Sequence, residues 1–162
     1  MTASEILTFL LIWGILGCLL FSIFVVIAFR SGLVYTARKE DGTLKERIPP
    51  RGVLAMAILP LGLIGLNLAS DYFGLIQRGI FLGYGRLFLL NYSVYVLLFL
   101  FDTFVIDGFV IPVWRPAFLR IPAAMGKGSM QKHILISLPI GLFVGAILTL
   151  LGTALAYFLW LD

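Results

Sequence analysis

Four long runs of apolar residues, separated by shorter polar connections, dominate the pattern along the chain. The first run, 6–29, contains 24 residues without a charged side chain. As an α-helix rising 1.5 Å per residue it would be about 36 Å long, which is enough to cross the hydrocarbon core of a bilayer. Three further runs predict helices at 53–70, 80–106 and 134–161. We therefore expect an all-α membrane protein, a four-transmembrane-helix bundle that forms a single domain over 1–162.

The connections between these runs differ in character. The loop at 30–52 is basic and contains the pair Asp41-Gly42, which is typical of a two-residue hairpin turn, so we expect a small hairpin or an ordered loop beside the membrane. A short polar connection at 71–79 predicts that the second and third helices are antiparallel neighbours. The segment 107–133 is interrupted by three prolines and is predicted to lie along the membrane surface.

Composition excludes an ordinary soluble domain. Hydrophobic residues make up 61% of the chain and charged residues 12%, with a mean hydropathy of +1.08, whereas about a quarter of the residues of a soluble domain are charged. The net charge is +4. Because the basic residues lie between the apolar runs, we expect them to contact anionic lipid and not nucleic acid.

The distribution of basic residues predicts the orientation in the membrane. The first and third connections together hold ten of the twelve Lys and Arg residues. Basic connections remain on the cytoplasmic side of a membrane. We therefore expect the loop 30–52 and the interfacial segment 107–133 to be cytoplasmic and both termini to lie outside, an N-out/C-out arrangement.

The chain is poor in metal-binding side chains, with one cysteine, Cys18, and one histidine, His133. A zinc, iron–sulfur or di-iron site made by protein alone needs three or four such ligands or a carboxylate cluster, so no metal site is expected. His133 could be an axial ligand of a haem or chlorophyll-type pigment. The favoured interpretation is a polar residue at the end of the fourth helix.

A polar stripe follows one face of the third predicted helix. The residues within an arc of about 40° at 100° per residue are Tyr84, Asn91, Tyr95 and Asp102. Such side chains are costly in lipid, so this face is expected to point into protein as a buried polar stripe. The favoured interpretation is hydrogen bonding between helices. The alternative is a pore, or a pocket for a lipid, quinone or pigment.

Two acids near the end of that helix are separate candidates. Asp102 and Asp107 lie about 140° apart on a helix, so they do not form a glycosidase-like pair. Asp102 is a candidate proton or cation site, against a structural interpretation as a partner of nearby basic groups. Asp107 is predicted to be a helix-end residue. The side chains predicted to contact lipid headgroups or the membrane interface are Trp114, Arg115, Arg120, Lys127 and Lys132.

Small residues recur on single helix faces. Gly62 lies on such a face of the second helix, and Gly141, Gly145 and Gly152 share one on the fourth. Small residues allow helices to approach closely in membranes, so these glycines are predicted packing positions. No cofactor is predicted, and an intercalated lipid, quinone or pigment is the alternative use of these faces.

The run LFDTFVID at 100–107, followed by WRP at 114–116, resembles a motif of small four-span bacterial integral membrane proteins of unknown function. These proteins carry a D-x-x-x-x-D motif at the end of the third helix. The resemblance implies a role for the two aspartates and a multi-pass protein of the bacterial cytoplasmic (inner) membrane. It implies no activity.

The sequence therefore predicts a non-catalytic integral membrane protein, not an enzyme. We expect an accessory or structural subunit of a membrane protein complex, or a homo-oligomer, whose partners are other transmembrane subunits or copies of itself. The first alternative is a small oligomeric transporter or channel that uses Asp102 and the polar stripe. The second alternative is a membrane-embedded lipid-modifying enzyme that uses Asp102, Asp107 and His133.

Overall fold

A computed structural model describes residues 1–33, 46–121 and 130–160, and in these ranges the chain is helical and contains no strand. Helix α1 spans Ala3–Arg30, α2 spans Pro50–Gly74, α3 spans Tyr84–Phe101 and α4 spans Met130–Trp160. A π-helical segment, Asp102–Trp114, continues α3. Four helices are long and apolar enough to cross a membrane. The predictions of an all-α chain and of four spans are confirmed, and the protein is a multi-pass membrane protein.

Local signals in the sequence account for the helix ends. A capping box opens α1: Glu5 N–H donates to Thr2 Oγ1 at 3.2 Å, and Thr2 N–H donates to Glu5 Oε2 at 2.7 Å. Helix α2 begins with Pro50 in its first turn, where the missing N–H costs nothing. After α2 a 3₁₀ turn, Ile76–Arg78, ends at Gly79 with φ 68°, a backbone angle that favours glycine.

Two predicted boundaries are wrong. Helix α2 continues to Gly74, so Asp71 lies inside the helix and not in a polar connection. The third span does not end at 106, and the interfacial segment does not begin at 107, because helical structure continues to Trp114. An i→i−5 bond from Arg115 N–H to Val110 O, 2.8 Å long, closes this wider helix, and Arg115 then turns to φ 43°. Asp107 is therefore inside a helical segment and not at its end.

The π-helical segment explains how helix persists through Pro112. Proline lacks an N–H and its ring collides with the carbonyl four residues earlier in an α-helix, whereas the π form has wider turns. The apolar character of the segment gives it surface to bury: Ile106 and Val110 pack with Val25, Phe29 and Leu119 in one core cluster. A short 3₁₀ turn, Ala117–Leu119, follows and touches α1.

Packing places α3 between α1 and α4, and α4 between α3 and α2. Helix α1 meets α2 at two glycines: a Cβ on Gly17 would lie 3.0 Å from Leu66, and one on Gly74 would lie 2.7 Å from Phe9 and Trp13. A second core cluster includes the Phe9 that lies against Gly74. It consists of Phe9, Leu75, Leu87, Leu90 and Val94. The arrangement is compatible with a four-helix bundle.

Some predicted features lie outside the described residues, and for others only the backbone is described. The hairpin predicted around Asp41-Gly42 and the interfacial Lys127 lie outside the described ranges. Lys132 and His133 belong to the first turn of α4 by their backbone.

Candidate functional site

Buried polar side chains are concentrated where α2 and α3 pack against α4. Seven polar side chains of the described residues are buried. Six of them belong to these three helices, and the seventh belongs to the π-helical segment. We call these six the polar cluster: Asn67, Ser70 and Asp71 of α2, Asn91 of α3, and Thr149 and Thr153 of α4. Asn91 is seven residues into α3, so the cluster lies about 10 Å from the start of that helix.

Asn91 joins the three helices. Its Nδ2 donates to Asp71 Oδ2 at 2.9 Å and to Thr153 Oγ1 at 3.2 Å. The exposed fraction is 1% for Asp71 and 0% for Asn91 and Thr153. A carboxyl group is therefore held inside protein, within the membrane-spanning region, by one neutral amide donor.

The cluster contains acceptors that its neighbours leave without donors. Among the described residues, Asp71 Oδ1 and Asn91 Oδ1 are buried and have no hydrogen-bond partner. No Lys, Arg or His of the described ranges forms an ion pair with Asp71. Buried carboxylates are normally paired or hydrogen-bonded on both oxygens, because an unpaired buried charge is costly. Asp71 departs from that pattern.

Helix periodicity and a glycine bring the cluster together. Asn67, Ser70 and Asp71 have i, i+3, i+4 spacing and therefore share one face of α2. Ser70 Oγ donates to the Asn67 carbonyl at 2.8 Å, which satisfies the hydroxyl inside its own helix. Asn67 lies against Gly152, where a Cβ would be 2.9 Å from its Nδ2. The glycine thus lets α2 approach α4 at the level of the cluster.

The predicted polar stripe faces α4 over most of its length. Tyr84 Oη donates to the Leu150 carbonyl at 3.3 Å, and Tyr95 Oη donates to the Gly141 carbonyl at 2.7 Å. Tyr92, which the sequence analysis did not include, donates to the Leu142 carbonyl at 3.2 Å. Only Asn91 of the stripe is fully buried, and Tyr84 is 37% exposed. These contacts have the form of interhelical hydrogen bonds.

Asp102 is not the buried acid of the bundle. It is half-buried at the first residue of the π-helical segment. It lies eleven residues beyond Asn91, about 16 Å along a helix, and the stripe therefore does not connect it to the polar cluster. Asp107 is also half-buried within the π-helical segment. The acid that is enclosed among α2, α3 and α4 is Asp71.

An aromatic ladder covers the glycine face of α4. Successive rings of Phe88, Tyr92, Tyr95 and Phe99 stack at centroid distances of 5.7, 6.0 and 5.8 Å. The Tyr95 ring lies directly against Gly145, and the Phe99 ring against Gly141. With Asn67 on Gly152, three of the four predicted packing glycines are in close contact. Gly62 differs, because a Cβ there would meet nothing within 4 Å, and its predicted role in helix packing stays a prediction.

Three of the predicted interfacial residues, Trp114, Arg115 and Arg120, lie at or shortly after the end of the π-helical segment. Trp114 is 59% exposed, and Arg120 is exposed with φ 53°. Arg115 donates to the carbonyls of Ile111 and Ile121 at 3.4 and 3.3 Å. It therefore joins the end of the helix to the segment after it, a structural role beyond the predicted lipid contact.

An open groove runs along the small-residue side of α1. Its volume is about 400 Å³, and its lining includes Gly14, Cys18 and Ser22 of α1 with Leu97 and Phe101 of α3. The Ser22 hydroxyl donates to its own helix at the Cys18 carbonyl, 2.7 Å away. The groove is lined mainly by apolar side chains, and the free thiol of Cys18 is part of its lining.

No family model, curated protein or solved structure matches this chain. The resemblance to small four-span bacterial membrane proteins therefore stays a prediction. Within the described ranges, no group of three or more His, Cys, Asp or Glu side chains could hold a metal ion. The polar cluster, built from one carboxyl and neutral groups, is the candidate site.

Sequence reasoning missed Asp71, Asn67, Ser70 and the two threonines of the cluster. The signal that could have found them is spacing: 67, 70 and 71 share a helical face at the end of an apolar run, and 149 and 153 are one turn apart. Treating Asp71 as the start of a connection removed the first of these patterns from consideration.

Proposed function

We propose that this chain is a non-catalytic integral membrane protein that assembles with other transmembrane subunits or with copies of itself. The observation that carries the proposal is an uncovered surface on α2. A Cβ on Gly62 or Gly65 would meet nothing within 4 Å. Nearby Leu61 is 63% exposed. We call this surface, centred on Gly62 and Gly65, the open face of α2.

The same chain shows what such a face does when it is covered. On α4, Gly141, Gly145 and Gly152 each receive a side chain from a neighbouring helix. Close approach at small residues is a main source of helix association in membranes, because lipid and apolar side chains are equally hydrophobic. The open face of α2 has the same character and no helix of the described part of the chain against it, which favours a transmembrane helix of another subunit as its occupant.

The proposed orientation is N-out/C-out in a bacterial cytoplasmic membrane, with the basic connections on the cytoplasmic side in contact with anionic lipid. It is supported by where the helices end. Arg30 ends α1, Arg51 lies in the first turn of α2, and Arg115 follows the π-helical segment. Arg78 and Arg86 are the only Lys or Arg residues of the described ranges at the opposite ends of the helices.

The assembly is tested by extraction in a mild detergent followed by mass determination of the native particle. We expect a particle larger than one 17.9 kDa chain, and we expect Gly62→Leu with Gly65→Leu to reduce it to the single chain. Gly85→Leu is the matched control, since Gly85 is also a helical glycine with open space around it. A wild-type protein that is monomeric under gentle extraction and in the membrane after cross-linking would refute the proposal.

A small oligomeric transporter or channel is the second candidate function, and the enclosed carboxyl of Asp71 favours it. Acids within membrane proteins often mark ion pathways. We centre such a pathway on Asp71 and not on Asp102, because Asp71 is the fully buried acid among the described residues. Flux of protons and Na⁺ into vesicles containing the protein tests this function. Flux that is unchanged by Asp71→Asn would exclude a pathway through this carboxyl.

A further inference from the structure

The polar cluster contains a carboxyl group without a cationic partner in the described part of the chain, and more buried acceptors than donors. Asp71 is buried with one amide donor and no cationic partner among the described residues, and two oxygens, Asp71 Oδ1 and Asn91 Oδ1, lack donors. Asn91 of α3 donates to Asp71, and Thr153 of α4 accepts from the same amide; neither side chain is charged. At the neighbouring Gly74, α1 contributes the Phe9 ring and the uncharged indole of Trp13, whose Nε1 is the atom nearest to that glycine. An ionised Asp71 would therefore have no opposite charge beside it among the described residues.

The ligand set indicates what kind of charge would fit. Carboxylate, carboxamide and hydroxyl oxygens suit hard cations and not the softer transition metals. A single carboxylate with neutral companions balances one positive charge, whereas a divalent ion would leave a net charge buried within the membrane-spanning region. The chemistry therefore favours a small monovalent metal ion of the size of Na⁺.

The geometry provides a way to bind it. Asn91 Nδ2 lies 2.9 Å from Asp71 Oδ2 and 3.2 Å from Thr153 Oγ1. The oxygen and nitrogen ends of an amide are nearly the same size, so a half-turn of the amide exchanges them without repacking. The amide oxygen would then lie about 2.9 Å from Asp71 Oδ2 and about 3.2 Å from Thr153 Oγ1, separations that suit oxygens sharing one cation at metal–oxygen distances of about 2.4 Å.

We propose that Asp71, Asn91 and Thr153 form a binding site for one Na⁺-like monovalent cation. In the structure, Asn91 donates to both neighbours. With the ion, its amide turns to present oxygen, and the carboxylate balances the charge. The inference concerns binding alone: it holds whether or not the chain assembles with partners, and whether or not the ion is transported.

The experiment is thermal unfolding of the purified full chain in detergent at constant ionic strength and fixed pH, in NaCl, LiCl, KCl or choline chloride. Na⁺ is expected to raise the Tm saturably above the choline value, by roughly 5–10 °C at a hundred times the Kd. Asp71→Asn is expected to abolish the shift. Asp102→Asn and Asp107→Asn are the matched controls and are expected to keep it, because neither residue belongs to the site.

A second pair of variants keeps the test decisive if Asp71→Asn does not fold. Thr153→Val removes the hydroxyl ligand at nearly constant volume and is expected to weaken Na⁺ binding at least tenfold. Thr153→Ser retains that ligand and is expected to bind within threefold of the wild type. The same Tm at all Na⁺ concentrations as in choline, or an Na⁺ response equal in both threonine variants, would overturn the proposal. So would stabilisation that depends on pH and on no metal ion, which would identify a bound proton as the occupant.

Discussion

Replacing Asn91 by leucine tests how strongly the polar cluster holds three helices together. The change keeps the size of the side chain and removes two donated hydrogen bonds, of 2.9 Å to Asp71 and 3.2 Å to Thr153. Interhelical hydrogen bonds in membranes contribute on average about 0.6 kcal/mol each. Leaving a buried carboxyl without its donor costs a further 1–3 kcal/mol, approximately. We therefore expect Asn91→Leu to lower the free energy of unfolding by about 2–4 kcal/mol.

A double-mutant cycle separates the lost bonds from the stranded acid. In Asp71→Leu/Asn91→Leu both polar partners are replaced by apolar groups, which is often close to neutral when the shape is kept. The double variant should therefore be more stable than Asn91→Leu alone. The assay is equilibrium unfolding in mixed micelles with increasing SDS, followed by circular dichroism, in a choline buffer so that bound cation does not contribute.

The control for that cycle is Ser93→Ala. Ser93 lies on the same helix, but its hydroxyl donates within α3 to the Leu89 carbonyl at 2.8 Å, so its removal should change stability by no more than about 0.5 kcal/mol. A similarly small effect of Asn91→Leu, or single effects that simply add in the double variant, would show that Asp71 and Asn91 are not energetically coupled. The cluster would then not be a structural or binding unit.

Four other substitutions test separate positions in the same unfolding assay. Gly145→Leu puts a side chain where the Tyr95 ring lies and should lower the free energy of unfolding by at least about 1–3 kcal/mol. Gly62 has open space around it, so Gly62→Leu should leave the stability of the single chain nearly unchanged. Tyr95→Phe keeps the ring but removes the 2.7 Å bond to the Gly141 carbonyl, for an expected loss of about 0.6 kcal/mol and at most about 1.7 kcal/mol. Thr2→Ala breaks the capping box with Glu5 and should lower the free energy of unfolding by about 0.5–2 kcal/mol. Amide hydrogen exchange in the first turn of α1 should become faster. Unchanged exchange there would contradict a role for the cap.

The four spans could be predicted from sequence because crossing a bilayer is a requirement on length and hydropathy along one helix. The polar face of the third helix could also be predicted, since periodicity determines which residues share a face. In the structure, Tyr84, Asn91 and Tyr95 all donate hydrogen bonds to other helices. The hydrogen-bond partner of each of these side chains could not be predicted from the sequence. It depends on which helices become neighbours, and nothing in the pattern places Asp71 beside Asn91.

The two boundary errors have different physical causes. A charged residue at the end of an apolar run usually marks the membrane interface, but Asp71 continues its helix because α3 and α4 enclose it. Prolines usually end a helix, but the helix continues through Pro112 as a π-helical segment, whose surface packs on α1. In both cases tertiary packing outweighs the local signal, and single-sequence reasoning does not include that packing.

The Asp71–Asn91 contact also constrains how the chain is made. As α2 emerges from the ribosome and enters the membrane, its carboxyl has no partner until Asn91, 20 residues later, has been synthesised. Thr153 is separated from Asn91 by a further 62 residues. A lone helix bearing an acid inserts poorly, so α2 gains its stable place in the bilayer together with α3, as a hairpin. The last helix then completes the enclosure, so integration of the second span is finished only when the fourth has arrived.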